Sequence, residues 1–140
     1  DLRLSRGLGD VYKRQTKVMA DGAALKIILT NFISNAIKHS PKKACINIEE
    51  SFSSKGYIRL SVSDEGKGVP KKYKERVFER FYRVDKGRST EKGGTGLGLS
   101  ISKNLALMMG YSLGVESNKP KGATFFIDIK IDEEKSFQAA

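Results

Sequence analysis

Several things this chain lacks exclude large protein classes. No apolar run approaches the roughly 18 residues that a membrane-spanning helix needs, and the N-terminus carries no hydrophobic segment of the signal-peptide kind. A soluble domain with no direct membrane contact is expected. Internal repeats are absent, and 140 residues suffice for one domain that buries its own core without disulfides or metals. A second cysteine is missing too. Cys45 alone excludes an internal disulfide and fits a reducing compartment, and its alternating surroundings, CINIEESF, predict a buried structural thiol in a strand. Negative charge is in short supply, with 16 Asp and Glu against 26 Lys and Arg and a net charge of +10. That excess invites a nucleic-acid partner. The positive residues are nevertheless scattered through Lys42, Lys43, Lys67, Lys71, Lys72, Lys74, Lys86, Arg88 and Lys92, with acids among them and no nucleic-acid motif. A solvated face plus phosphate ligands is the expectation, with no nucleic acid.

The patterning present is that of alternating helices and strands. KVMA at 17–20 predicts a short strand, and Asp21 is a suitable N-cap for a helix running to about Ser40, where Pro41 helps end it. Strands are expected near 44–53 and 57–64. Ile46 and Ile48 on one, and Ile58, Leu60 and Val62 on the other, would give each a buried face, with SSKG as the hairpin between them. A short helix holding Phe78 and Phe81 should follow DEGKGVP, then a mobile loop over 83–95, where periodicity is lost. A second long helix is expected from Gly96 to about Met109, ended by Gly110, and strands near 111–117 and 122–131 complete the set. Helices on one face of a mixed, mainly antiparallel sheet make an α+β, two-layer α/β sandwich.

Four motifs stand out in order: NFISNAIKH at 31–39, DEGKG at 64–68, FERFYR at 78–83 and GTGLGL at 94–99. The first sets Asn31, Asn35 and Lys38 at i, i+4 and i+7, so a helix projects two amides and an ammonium from one stripe, a set suited to a triphosphate with Mg²⁺. Apolar Leu25, Ile28, Leu29, Phe32, Ile33, Ala36 and Ile37 fill the other faces. Asn35 is the candidate metal ligand, since a neutral amide oxygen can complete a shell built mostly from phosphates and water. Asn31 and Lys38 would face the phosphates. Asp64, with Gly66 and Gly68 behind it, is a buried acceptor beside a backbone that a ligand can approach closely; alone, the same DxGxG reads as turn chemistry. GTGLGL opens a helix, so free backbone N–H groups and the positive dipole end would point at phosphates.

Together these motifs resemble the ATP-binding catalytic domain of bacterial sensor histidine kinases, a Bergerat-type fold, from about Met19 to about Ile131. The resemblance implies that Asp64 accepts a hydrogen bond from the adenine exocyclic amine, with Gly66, Gly68 and Val69 beside it. His39 becomes a pocket-wall residue rather than a phosphoacceptor. Gly94, Thr95, Gly96, Leu97, Gly98 and Leu99 form the phosphate-side turn, in which Leu97 and Leu99 pack. The loop before it becomes a nucleotide lid, with Arg83 and Arg88 within reach of the γ-phosphate and Lys92 and Lys86 reading equally as surface charge. Phe78, Phe81 and Tyr82 anchor the short helix, tether the lid and contribute to the surface that meets the phosphoacceptor helices. Thr124, in GATF, either contacts the adenine or merely opens a strand.

The implied activity is transfer of the γ-phosphoryl group of Mg·ATP to a histidine on a dimerisation domain of the same parent, with Asn31, Lys38 and Arg88 as catalytic residues. A response regulator would be the downstream partner and the parent a homodimer anchored in a bacterial inner membrane, with this domain cytoplasmic. The rivals are a hydrolysing ATPase of the gyrase or chaperone type and a serine kinase of the anti-sigma type, both of which place Glu where Asn31 stands. An amide is no general base near neutral pH, which disfavours hydrolysis. Residues 5–15, SRGLGDVYKRQ, match a one-frame translation of a common sequencing-library adapter, so 1–15 are expected to be non-native, with the domain over 16–132 and a tail over 133–140.

Overall fold

A computed structural model describes residues 21–53, 55–80, 98–118 and 120–131. The first helix, α1 (Gly22–His39), begins where the sequence predicts. The Asp21 carboxylate accepts from the backbone N–H groups of Ala23 and Ala24, and the extended Ser40 ends the helix. Strands β1 (Asn47–Phe52) and β2 (Tyr57–Ser63) follow as a hairpin. The short helix expected after DEGKGVP is instead two 3₁₀ turns, Lys71–Tyr73 and Arg76–Phe78. Helix α2 (Gly98–Met109) leads into β3 (Ser112–Ser117) and β4 (Ala123–Lys130). The strand expected at 17–20, the adapter-like 5–15, the tail after 132, and Phe81, Tyr82 and the loop 83–95 lie outside the described residues.

The sheet order is β1-β2-β4-β3, with every described pair antiparallel. Directly opposed residues share a face, so the register sorts the sheet into two sides. Ile48, Val62, Phe125 and Val115 form one row toward the helices, and Glu50, Leu60, Ile127 and Leu113 the next. Helix α1 lies over β2 and α2 over β3, and the two helices pack on each other. Leu25, Ile28, Leu29, Phe32 and Ala36 from α1 meet the β2 and β4 rows in one core. At its centre Phe125 tilts against Phe32 at 5.6 Å and meets Phe78 edge-on at 6.1 Å.

Two expectations fail at the β1 edge of the sheet. Cys45 is exposed and precedes β1, and Ile48, although on the helix side, is 45% exposed. Alternation in sequence reports which face a residue takes, whereas burial also requires something above that face. The helices lie over β2 and β3 and leave Ile48 on β1 largely uncovered. On the opposite side of the sheet Arg59 bonds Asp128 through two nitrogens, at 2.8 and 3.0 Å, and stacks 3.7 Å over Phe126. The hydrogen bond it donates to Asp128 holds the guanidinium above its ordinary value despite partial desolvation.

The two helices are joined end to start. Gly110, at φ +77, closes α2 with its N–H on Leu107 O, while the Tyr111 N–H reaches Ala106 O, the paired pattern of a Schellman cap. The cap delivers Tyr111 into the core, where its hydroxyl accepts from the Asp21 N–H at 2.8 Å. Tyr111→Phe should therefore lower stability by about 1 kcal/mol, read as a lower urea midpoint at unchanged m-value. A wild-type midpoint in the variant would mean that this junction contributes nothing.

Candidate functional site

Asp64 follows β2 directly and is 5% exposed, and its carboxylate is held by backbone groups. Its Oδ1 accepts from Gly66 N at 2.9 Å and Ala123 N at 3.1 Å, and its own N–H donates to Ala123 O at 2.8 Å. Among the described residues nothing donates to Oδ2. On this otherwise buried side chain an oxygen that can only accept is thus left for an outside N–H donor.

The glycines around Asp64 serve the protein's own backbone. A Cβ on Gly66 would overlap the carbonyl of His39 at the end of α1. A Cβ on Gly122, whose φ is +99, would overlap the Asp64 carbonyl. A Cβ on Gly68, whose φ is +79, would lie 2.7 Å from the Gly122 carbonyl oxygen. The expected reason for these glycines was room for a ligand, but the neighbours occupying that room are the α1 terminus and the β3–β4 turn. The DEGKG segment is therefore wedged between two other elements, and this wedge aims Asp64. Gly122→Ala adds overlap to a positive φ, whereas Gly110→Ala, at φ +77 with open space around it, carries the backbone strain alone, of order 1–3 kcal/mol. In urea denaturation Gly122→Ala should lose the more stability by at least about 1 kcal/mol; equal losses would remove the wedge from the account.

On α1, Asn31 and Asn35 are half-buried, while Lys38 and His39 are exposed. Asn31 Nδ2 donates to Gly98 O and to Ser102 Oγ, both at 3.1 Å, which joins the first motif directly to the last. Among the described residues no hydrogen bond engages the Asn35 amide. The Ser40 hydroxyl beside His39 is buried and without a partner among the described residues. Val69 is buried in the core, and its carbonyl accepts from Ser117 Oγ. Leu99 packs against the core as expected, and Gly98 opens α2. Phe81, Arg83, Arg88, Lys92, Gly94, Thr95, Gly96 and Leu97 lie outside the described residues.

Thr124, read from the sequence as either an adenine contact or a strand start, lies at the start of β4. It pairs with Ser63 and Glu116 and shares their face of the sheet, opposite the helices. Its hydroxyl donates to Asn118 Oδ1 and pairs with Ser63 Oγ, both at 2.7 Å. The residue beside the Asp64 carboxylate is Ala123, a backbone donor. Its role leaves no mark on side-chain chemistry; only its place after Gly122 could have signalled it.

With the geometry in hand, the relatives become informative. Residues 20–133 match the family described as histidine kinase-, DNA gyrase B-, and HSP90-like ATPase. The chain belongs to this family. It is 40% identical over 128 residues to the sensor histidine kinase WalK of Bacillus subtilis, a match covering 87% of this chain and 20% of that protein. It is 42% identical over 113 residues to the sensor-like histidine kinase SenX3 of Mycolicibacterium smegmatis, covering 81% and 29%. Among solved structures, the mycobacterial sensor histidine kinase MprB superposes with a TM-score of 0.69 at 29% identity, over 80% of this chain and 73% of that one. Full-length ShkA in complex with AMPPNP gives 0.70 at 32%, over 85% and 24%. The fold is thus the α/β fold of histidine kinase catalytic domains. The chain spans under a third of the length of these two curated relatives. Among the described residues no helix is long and apolar enough to cross a membrane.

Proposed function

We propose that this chain is the nucleotide-binding catalytic domain of a sensor histidine kinase, which holds Mg·ATP and delivers its γ-phosphoryl group to a histidine on a dimerisation domain of the parent protein. The observation that carries this reading is the Asp64 carboxylate, buried, with Oδ1 taken by two backbone N–H groups and Oδ2 left to accept. An adenine exocyclic amine supplies the matching donor. A guanine would turn a carbonyl toward the same oxygen and leave two acceptors facing each other.

The metal side fits the donors available. Among the described residues no cluster of three His, Cys, Asp or Glu could hold an ion unaided. A Mg²⁺ ion here would draw its charge compensation from the phosphates, completing its shell with neutral amide oxygens, Asn35 first. When bound, it neutralises developing charge on the phosphoryl oxygens. The chain's own contribution is positioning: Asp64 fixes the base, the α1 stripe places Asn35 and Lys38 along the phosphates, and Gly98 sets the start of α2 against Asn31. Arg83, Arg88 and Lys92 are proposed to supply cations to the γ-phosphate side. Asn31 is no base for water, so a separate acceptor takes the phosphoryl group. His39 ends α1 as a wall residue. The parent is proposed to be a homodimer anchored in a bacterial inner membrane, with this domain cytoplasmic and a response regulator as its partner.

Asp64→Asn should weaken ATP binding by about one to two decades, the loss of a charge-assisted hydrogen bond. Titration with ATP and GTP checks both the loss and the base preference, and equal curves for the two nucleotides would sink the assignment.

With γ-labelled ATP, the chain alone should acquire no label, while an added two-helix hairpin from its own parent should acquire acid-labile label that disappears with Asn35→Ala. Label on the chain alone, lost in His39→Gln, would make His39 the acceptor. Steady hydrolysis without the hairpin would favour the ATPase rival.

A further inference from the structure

Ser102 is completely buried on α2 and belongs to none of the four motifs. A buried hydroxyl is costly without partners, and both partners of this one lie at the nucleotide site. Its proton goes to Gly98 O at 3.0 Å, one turn back, and its oxygen accepts from Asn31 Nδ2 at 3.1 Å. Asn31 Nδ2 also donates to Gly98 O at 3.1 Å. The three groups close a ring.

The ring fixes which way the Asn31 amide faces. Gly98 O is an acceptor with no proton, so the nitrogen of the amide, and not its oxygen, must be turned toward it. Each Nδ2 hydrogen then has a taker, one in Gly98 O and the other in Ser102 Oγ. Asn31 therefore retains only Oδ1 for a ligand. A phosphate oxygen near neutral pH is itself an acceptor and gains nothing from a carbonyl oxygen. A cation, or a water held by one, gains a donor atom. The orientation thus converts Asn31 from a phosphate contact, as its sequence suggests, into a contact to the cation side of the nucleotide.

We propose that Ser102 is a positioning residue, whose buried hydroxyl locks the Asn31 amide with its oxygen toward the metal side of Mg·ATP and ties that orientation to the first turn of α2. This rests on the nucleotide reading given above. Without the hydroxyl, Asn31 keeps one bond to Gly98 and can swing about its side-chain torsions. Metal-dependent binding suffers, while the base end at Asp64 is untouched.

The test uses the full chain, with Ser102→Ala, Asn31→Ala and the double variant, titrated with ATP in the presence of Mg²⁺ and of EDTA. Ser102→Ala should reduce the factor by which Mg²⁺ strengthens ATP binding by about three- to tenfold, the loss of one hydrogen bond, and leave binding in EDTA unchanged. In the Asn31→Ala background it should have no further effect, because it acts through that side chain. Ser102→Thr, which keeps the hydroxyl, should restore the factor. Equal losses with and without Mg²⁺, or effects that add in the double variant, would overturn the proposal. A ligand-free measurement separates it from the parent reading: the Asn31 side-chain NH₂ resonances should exchange slowly with solvent in wild type and rapidly in Ser102→Ala. Rapid exchange in the wild type overturns the lock whatever the ligand; a wild type that binds no Mg·ATP while showing slow exchange fails the nucleotide reading instead.

Discussion

The site depends on a carboxylate fastened by backbone. Asp64 sits where β2 ends, and its three bonds to Gly66 and Ala123 connect the DEGKG turn to the start of β4 without any other side chain. Because the partners are main-chain groups, the carboxylate has no rotamer freedom to spend on other contacts. Its free oxygen is aimed by the fold itself. The wedge of Gly66 against the His39 carbonyl and of Gly122 against the Asp64 carbonyl brings the end of α1 and the β3–β4 turn to the same place. A shift of the DEGKG backbone would therefore press on the end of α1 and on the β3–β4 turn.

Helix α1 is the common support. Its middle bonds to the first residue of α2 through Asn31, its end packs on Gly66, and its buried face forms the helix side of the core with Phe32 against Phe125. The two ligand-facing regions, at Asp64 and at Gly98, are therefore spaced by a rigid rod of known rise, about 1.5 Å per residue. The eight positions from Asn31 to His39 separate them along that axis by about 12 Å. That fixed separation suits the proposed holding of a single elongated ligand at its base and at its phosphate end.

Much of this was legible in the sequence, and the exceptions share a cause. The N-cap at Asp21, the end of α1 at Ser40, the glycine stop at Gly110 and the four strands lie where local signals put them, because capping and alternation are properties of short segments. Ile48 is exposed because burial at an edge strand depends on how far the helix layer reaches, which no window of sequence reports, while Cys45 stands before β1 and on the alternation opposite to Ile48. Of the two readings open for Thr124, the structure supports the strand start: strand residues alternate faces, so its neighbour Ala123 meets Asp64 while the Thr124 hydroxyl joins Ser63 and Asn118. The glycines were recognised as sites of close approach, but the approaching atoms belong to distant parts of the chain. The role of Ser102 was invisible for the same reason, since its partner lies 71 positions away.

The sheet order carries a consequence for how the protein is made. The last strand in sequence, β4, lies in the middle of the sheet, between β2 and β3. Its partners on β2 are far away along the chain, with Ser63 and Thr124 separated by 61 positions. A nascent chain thus emerges with β1 and β2 as an isolated two-stranded hairpin, which is marginal in water by itself, and with one edge of β2 open. At translation rates of about 5–20 residues per second, that edge waits roughly 4–14 s for β4 to leave the ribosome. Mispairing is therefore a hazard of synthesis more than of the finished fold, where the same edge is sealed at the centre of the sheet.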